Sequence, residues 1–149
     1  MKREVLIRFR LLLLCLVCAG SAWSADGKWK DTFVVDGSGN GDYRTLTEAM
    51  EGIRAFMDYR VTVLVRNGVY REKLVVPSWL QNVDFVGEDA EKTVITFDDH
   101  ANIRRMGTFR TYTLKVEGNG ITFCNLTIEN NAPPLGQAVA LHTEGDRLV

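Results

Sequence analysis

The chain has 149 residues, 46% of them hydrophobic and 25% charged, with a formal net charge of -1. That balance fits one soluble globular domain and offers no polybasic field to a nucleic acid. The near-neutral total hides an asymmetry: Lys2, Arg3, Arg8 and Arg10 crowd the start against Glu4 alone, so the rest is mildly acidic.

Residues 1–24 read as a secretory signal peptide. A basic segment precedes the apolar run 11–17, and the small residues Ala19, Gly20, Ser21 and Ala22 follow it. The run is too short to cross about 30 Å of hydrocarbon, so no stable membrane anchor is expected once the leader is cleaved. Cys15 and Cys18 fall inside the leader, which leaves Cys124 alone and rules out an internal disulfide in the mature chain.

After a polar lead-in, Thr32–Val35 reads as a first strand, and 36–42 as a Gly-rich turn. That turn lacks the Lys-Ser/Thr of a phosphate loop, so a tight turn feeding a helix is the better reading. Thr45-Leu46-Thr47-Glu48 is a capping box, in which the Thr hydroxyl accepts from the amide of Glu48 while Glu48 reaches back to the cap amide. Leu46, Ala49, Met50 and Ile53, extended by Phe56 and Met57, form the apolar stripe of an amphipathic helix.

Strands follow at Val61–Val65, 73–76, 83–86 and 94–97, separated by Asn67-Gly68, Pro77 and Gly87. Residues 90–92 and 98–107 read as polar loops, the second holding Asp98, Asp99, His100, Arg104 and Arg105. Further short strands are expected at 112–116, 121–123, 126–128 and 138–141, with another beginning at 146–149. The spacers are too short for crossover helices, which excludes a βαβ sheet. Gly118-Asn119-Gly120 and Asn130-Asn131 provide residues that tolerate positive φ at sharp corners. Short strands that turn corners without clear hairpins point to stacked rungs, with an antiparallel sandwich as the competing pattern.

Five blocks in register carry a family resemblance: residues 39–45 (GNGDYRT), 68–77 from Gly68-Val69-Tyr70-Arg71-Glu72 to Val76-Pro77, 107–111 (GTFRT), 120–130 (GITFCNLTIEN) and 137–141 (QAVAL). In order and spacing they resemble the pectin methylesterases over roughly residues 32 to 149. The resemblance implies an all-β, right-handed parallel β-helix, here partial, with the N-terminal α-helix plugging its open end. Residues 25–149 would then be the N-terminal part of a pectinesterase-like domain, and a longer protein is expected. It also implies a secreted carboxylic ester hydrolase, periplasmic or extracellular, that removes methyl groups from polygalacturonate esters. The expected partner is pectin, no metal or organic cofactor is needed, and a completed coil would be a monomer.

In the family's mechanism one aspartate attacks the ester, a second acts as general acid and base, an Arg holds the nucleophile, and glutamine amides lie near the oxyanion. Two positions match here: Thr108 and Gln137 are the expected substrate-binding residues. An amide offers two donors without charge, which suits an ester or an oxyanion. Read without the resemblance, both would be ordinary polar groups serving backbone and loop. The family's aspartates and Arg have no matching motif, so no catalytic residue is assigned, and the chain alone is expected to be inactive. Asp84, Asp98, Asp99 and Asp146 do not stand in that context. His100 and His142 have no nucleophile at a recognised spacing, and Cys124 reads as structural. Asn125-Leu126-Thr127 is a glycosylation sequon by pattern. Tyr112 stands where many relatives carry a small residue. Two further readings remain: a non-catalytic β-helical carbohydrate-binding protein, and a Ca²⁺-dependent pectate lyase using Asp98-Asp99.

Overall fold

A computed structural model describes residues 29–149, so the expected leader lies outside the described residues. Ten strands are numbered in chain order: β1 Thr32–Val35, β2 Val61–Val65, β3 Gly68–Arg71, β4 Leu74–Val76, β5 Val83–Gly87, β6 Thr93–Phe97, β7 Leu114–Val116, β8 Thr122–Cys124, β9 Thr127–Asn130 and β10 Leu141–Thr143. Every ladder between them is parallel. They stack into three sheets, β1-β2-β5-β8, β3-β6-β9 and β4-β7-β10. Each coil therefore contributes one strand to each sheet: β2-β3-β4, then β5-β6-β7, then β8-β9-β10. This is the expected parallel β-helix, and the antiparallel sandwich is excluded.

Side chains of like type lie above one another because successive coils keep register. In the first sheet Phe33, Val63, Phe85 and Phe123 form one inward column, with the Phe85 and Phe123 rings stacked at 5.1 Å and 9°. In the second, Tyr70, Ile95 and Ile128 align; in the third, Leu74, Leu114 and Leu141. Alternation explains the pattern: Val61, Val63 and Val65 are fully buried while Leu64 between them faces out.

The helix α1, Leu46–Gly52, begins as its sequence demands, with Thr45 Oγ1 accepting from the Glu48 amide at 3.1 Å. Glu48 reaches back one residue further than expected, accepting from the Arg44 amide at 3.0 Å. Leu46, Ala49 and Met50 are buried against the coil, and α1 packs on β1 and β4. The apolar stripe overruns the helix: Phe56 adopts φ 53° and projects into solvent, whereas Met57 is buried. Among the described residues no helix is long and apolar enough to cross a membrane.

A contact that the sequence did not signal holds α1 in place. Glu72, in the corner after β3, accepts from the amides of Leu46 and Thr47 at 2.9 and 3.0 Å and from the Thr47 hydroxyl at 2.7 Å. A carboxylate here satisfies two orphan helix donors and faces the positive end of the helix dipole. Glu72→Ala should lower unfolding stability by about 1–2 kcal/mol in urea denaturation. A change within the scatter of replicate measurements would remove the capping role.

Strand boundaries differ from expectation by small, explicable shifts. β3 reads as punctuation because Gly68 opens it, yet it pairs in full with β6. The strand expected at 138–141 forms later, at β10, because residues 131–140 belong to a corner insertion. At 146–149 a turn through Arg147 (φ 55°) precedes two backbone bonds, Phe123 N–H to Val149 O at 2.8 Å and Val149 N–H to Ile121 O at 3.1 Å. Of the expected corner residues only Gly120 uses positive φ, at 67°; Asn130 and Asn131 do not. Asn125, unexpectedly, does, at 54°. The Asn125 amide donates to Gly87 O at 2.9 Å and the Thr127 hydroxyl to Ala90 O at 2.6 Å, so both polar ends of the sequon already serve the coil.

Candidate functional site: the corner between the second and third sheets

One corner of the helix lengthens along the chain. Between the second and third sheets the first coil has only Glu72 and Lys73, whereas the second inserts residues 98–113 and the third residues 131–140. These two insertions meet above the outer face of β7 and β10, and they carry Thr108 and Gln137. Gly107 enters the 3-10 turn Thr108–Arg110 with φ 79° and nothing within 4 Å of where a Cβ would sit. Its requirement is backbone conformation rather than space.

The two expected site residues touch: the Thr108 hydroxyl donates to Gln137 Oε1 in a short hydrogen bond. Gln137 is solvent-exposed and Thr108 half-buried. Fixing Oε1 this way orients the amide, with Nε2 as the donor end that Thr108 does not occupy. Backbone bonds hold the two insertions together, Ala101 N–H to Gln137 O at 2.8 Å and Thr113 N–H to Val139 O at 3.1 Å. The buried Thr111 hydroxyl donates to Thr108 O at 2.7 Å and accepts from Val139 N–H at 3.1 Å.

Asn130 is the hub that sequence reasoning missed. Its amide nitrogen lies 3.0 Å from Asp99 O, 2.8 Å from Thr111 O and 3.2 Å from Val139 O, and its Oδ1 accepts from Ala132 N–H at 3.0 Å. One side chain thereby ties both insertions to the end of β9. An Asn at a strand end reads as a turn former, and nothing local signals bonds to residues 31 positions earlier.

Lys73 is a second anchor. Its ammonium pairs with the Asp99 carboxylate, donates to Arg110 O at 2.6 Å and lies 5.0 Å from the Tyr112 ring centroid. Asp98 pairs instead with Arg71 at 2.7 Å, and that hydrogen-bonded guanidinium holds its carboxyl below the usual range. The adjacent acids thus face two different cations rather than converging on a shared ligand. Among the described residues no group of three or more His, Cys, Asp and Glu is placed to hold a metal.

The insertion that carries Thr108 also walls a cleft of about 570 Å³, lined by Phe109, Arg110, Tyr112, Lys115, His142 and Glu144; Thr108 and Gln137 themselves are not in its lining. Phe109 is 78% exposed. Its ring and that of Tyr112 each meet His142 near edge-on, at 6.1 and 6.3 Å. On the cleft floor Lys115 bridges Glu117 at 2.7 Å and Glu144 at 3.0 Å, and these two bonds raise its pKa. His142 Nε2 lies 3.3 Å from Glu144. The aromatic rings offer apolar faces to a sugar, and the amide of Gln137 offers an uncharged donor. Glu144, the carboxylate in the cleft wall, and its neighbours Glu117 and Asp99 all face cations, which suits orientation better than attack.

A larger cleft, about 810 Å³, runs from the corner between the first and second sheets, at Arg66 and Glu88, across β3 to Glu72. Size does not make it the better site. Arg66 sits on Glu88 at 3.0 Å, Glu72 is spent on α1, and no residue of its lining belongs to the two insertions, whereas Phe109, Arg110 and Tyr112 in the smaller cleft do. Of the other polar residues noted in the sequence, Asp84 pairs with Arg60, and Asp146 accepts from Arg147 N–H at 2.8 Å. Cys124 is exposed and unpaired on β8, outside the cleft lining.

Comparison with known proteins gives a consistent result. The family model described as Pectinesterase matches residues 32–149. Probable pectinesterase/pectinesterase inhibitor 23 of Arabidopsis thaliana is 35% identical over 124 residues, spanning 83% of this chain and 22% of that protein. A pectinesterase/pectinesterase inhibitor of Brassica campestris is 34% identical over 132 residues, spanning 87% and 23%. Among solved structures, pectin methylesterase from carrot superposes with a TM-score of 0.74 at 32% identity, covering 78% of this chain and 36% of that one. A pectin methylesterase solved with a hexasaccharide gives 0.68 at 24% identity, a likeness of fold, over 81% of this chain and 41% of that one. The chain spans about a fifth of the length of the curated relatives it matches.

Proposed function

Because the chain belongs to the pectinesterase family, we propose that it forms the ester-gripping part of a secreted pectin methylesterase. In this reading residues 1–24 are a cleaved leader, and residues 25–149 are the N-terminal part of the catalytic domain. Thr108 and Gln137 hold a methyl-esterified galacturonate, and the chain by itself binds without hydrolysing. The observation that carries the reading is the Thr108–Gln137 hydrogen bond, made by two insertions from successive coils, the first of which also walls an aromatic cleft.

The chemistry follows from what the chain offers. Gln137 Nε2 is an uncharged donor suited to the ester carbonyl, and would gain strength as that oxygen becomes negative during attack. Attack itself needs an unencumbered carboxylate, and those in and beside the cleft are held by Lys73 and Lys115. The nucleophile and the acid are therefore assigned to segments with no counterpart in residues 1–149, as the family's motifs imply. A purely carbohydrate-binding role shares the grip and lacks the hydrolysis.

Calorimetric titration of the chain with methyl-esterified oligogalacturonate tests the grip. Thr108→Val and Gln137→Leu should each weaken binding roughly tenfold, the loss of about one hydrogen bond to a ligand. No methanol should be released by the chain alone. Unchanged affinity in both variants would remove these residues from the site.

A further inference from the structure

The larger cleft along β3 holds one cation that nothing in the fold engages. Arg44 is exposed in its lining, and among the described residues its guanidinium makes no ion pair or hydrogen bond. The acids around it are committed elsewhere. Asp36 accepts from the Ser38 amide and hydroxyl at 2.8 and 2.6 Å, Glu72 from the first amides of α1, and Glu88 from Arg66 and from Asn67 N–H, both at 3.0 Å. The other two guanidiniums are paired as well, Arg66 with Glu88 and Arg71 with Asp98. Backbone geometry sets where Arg44 lies. Its own N–H donates to Glu48 at 3.0 Å, and its guanidinium rests over Gly39, where a Cβ would come within 2.7 Å of Nη2. Beside it Val69 is 73% exposed on the outer face of β3.

We propose that this cleft is a second carbohydrate site, which takes a carboxylate-bearing sugar chain on Arg44 independently of the Thr108–Gln137 contact. A guanidinium grips a carboxylate through two parallel charge-assisted hydrogen bonds, and no acid of the lining is left to compete for it. Val69 offers an apolar surface to the C–H face of a sugar ring. Beyond its leader the chain is mildly acidic, so a polyanion meets no general attraction and must be held by a local cation. The inference rests on the pectin-binding reading for its ligand, de-esterified polygalacturonate. The two clefts share no lining residue. A polymer that reaches both would be held at two points, and its affinity would rise with length through effective concentration rather than through new contacts.

Calorimetric titration of the whole chain with a fully de-esterified galacturonate hexamer tests the site. Arg44→Gln should weaken binding about tenfold or more, as expected for a lost charge-assisted bond. Arg105→Gln makes the same charge change at an exposed position outside both cleft linings, and should alter it by less than about twofold. Arg44→Lys, which keeps the charge and loses the planar fork, should recover only part of the affinity. Thr108→Val and Gln137→Leu should leave the free hexamer unaffected, and Arg44→Gln should leave a fully methyl-esterified hexamer unaffected. Equal weakening by Arg44→Gln and Arg105→Gln, or no measurable binding of the free hexamer to the unaltered chain, would overturn the proposal. Hexaglutamate binding as tightly as the free hexamer would overturn the assignment to a sugar. Loss of free-acid binding in Arg44→Gln, together with esterified-hexamer binding indifferent to Thr108→Val and Gln137→Leu, would keep this site and discard the ester grip. The converse would keep the ester grip alone.

Discussion

Phe85→Ala is expected to destabilise the chain by about 3–5 kcal/mol, the cost of emptying an aromatic site in a core that cannot collapse around it. Phe85 is 1% exposed and occupies the middle of the inward column formed by Val63, Phe85 and Phe123. Its neighbours above and below are fixed by parallel ladders, so relaxation would have to break strand register rather than move one side chain. The truncation also removes the ring stack with Phe123. Urea denaturation measures the change. Phe85→Leu should recover part of it, and Phe109→Ala, which truncates an exposed ring, should cost less than about 0.5 kcal/mol. A Phe85→Ala loss no larger than that of Phe109→Ala would mean the coil is not the cooperative unit described here.

The same column shows what was legible in the chain and what was not. Val61, Val63 and Val65 alternate over five residues, and that period identifies β2 with its inward face at once. The helix was equally plain, since Thr45 and Glu48 mark its start and a buried stripe follows. Elements that announce themselves do so through contacts within a few residues. β3 did not, because glycine at its first position carries no side-chain signal and its stability comes from pairing with a strand 25 residues later. The end of α1 was overestimated for a related reason: Met57 keeps the helical spacing but is buried from a non-helical segment beyond Gly52.

The site divides in the same way. Thr108 and Gln137 are 29 positions apart, and periodicity gives no reason to join them; only the family resemblance did, and in the fold their side chains share a hydrogen bond. Asp98 and Asp99 looked like a candidate ion-binding pair, yet Arg71 and Lys73 divide them between two sides of a corner. Pairing between coils decides each of these outcomes, and a linear sequence does not display which residues the coil stacks together.

Asn130→Leu should cost roughly 2–4 kcal/mol, since it leaves one buried and two half-buried residues' carbonyls without the donor they share. Those carbonyls belong to Asp99, Thr111 and Val139, one or more from each insertion, so the damage should reach beyond stability. Binding of methyl-esterified oligogalacturonate should fall although Asn130 is neither Thr108 nor Gln137, because the two insertions would lose their common tether. Asn130→Asp makes the electrostatic part separable. An ionised Asp has no proton to donate and would face three carbonyl oxygens, so the fold should favour its neutral form and raise its pKa above the unfolded value of about 3.9. A raised folded pKa means that the penalty is smallest below the unfolded value and grows as pH rises through the folded one. Asn130→Asp should therefore approach the unaltered chain in stability near pH 4 and diverge from it towards pH 7, whereas the deficit of Asn130→Leu should stay nearly constant over that range. Parallel pH profiles for the two variants would show that the tether acts through packing alone, not through the amide hydrogens.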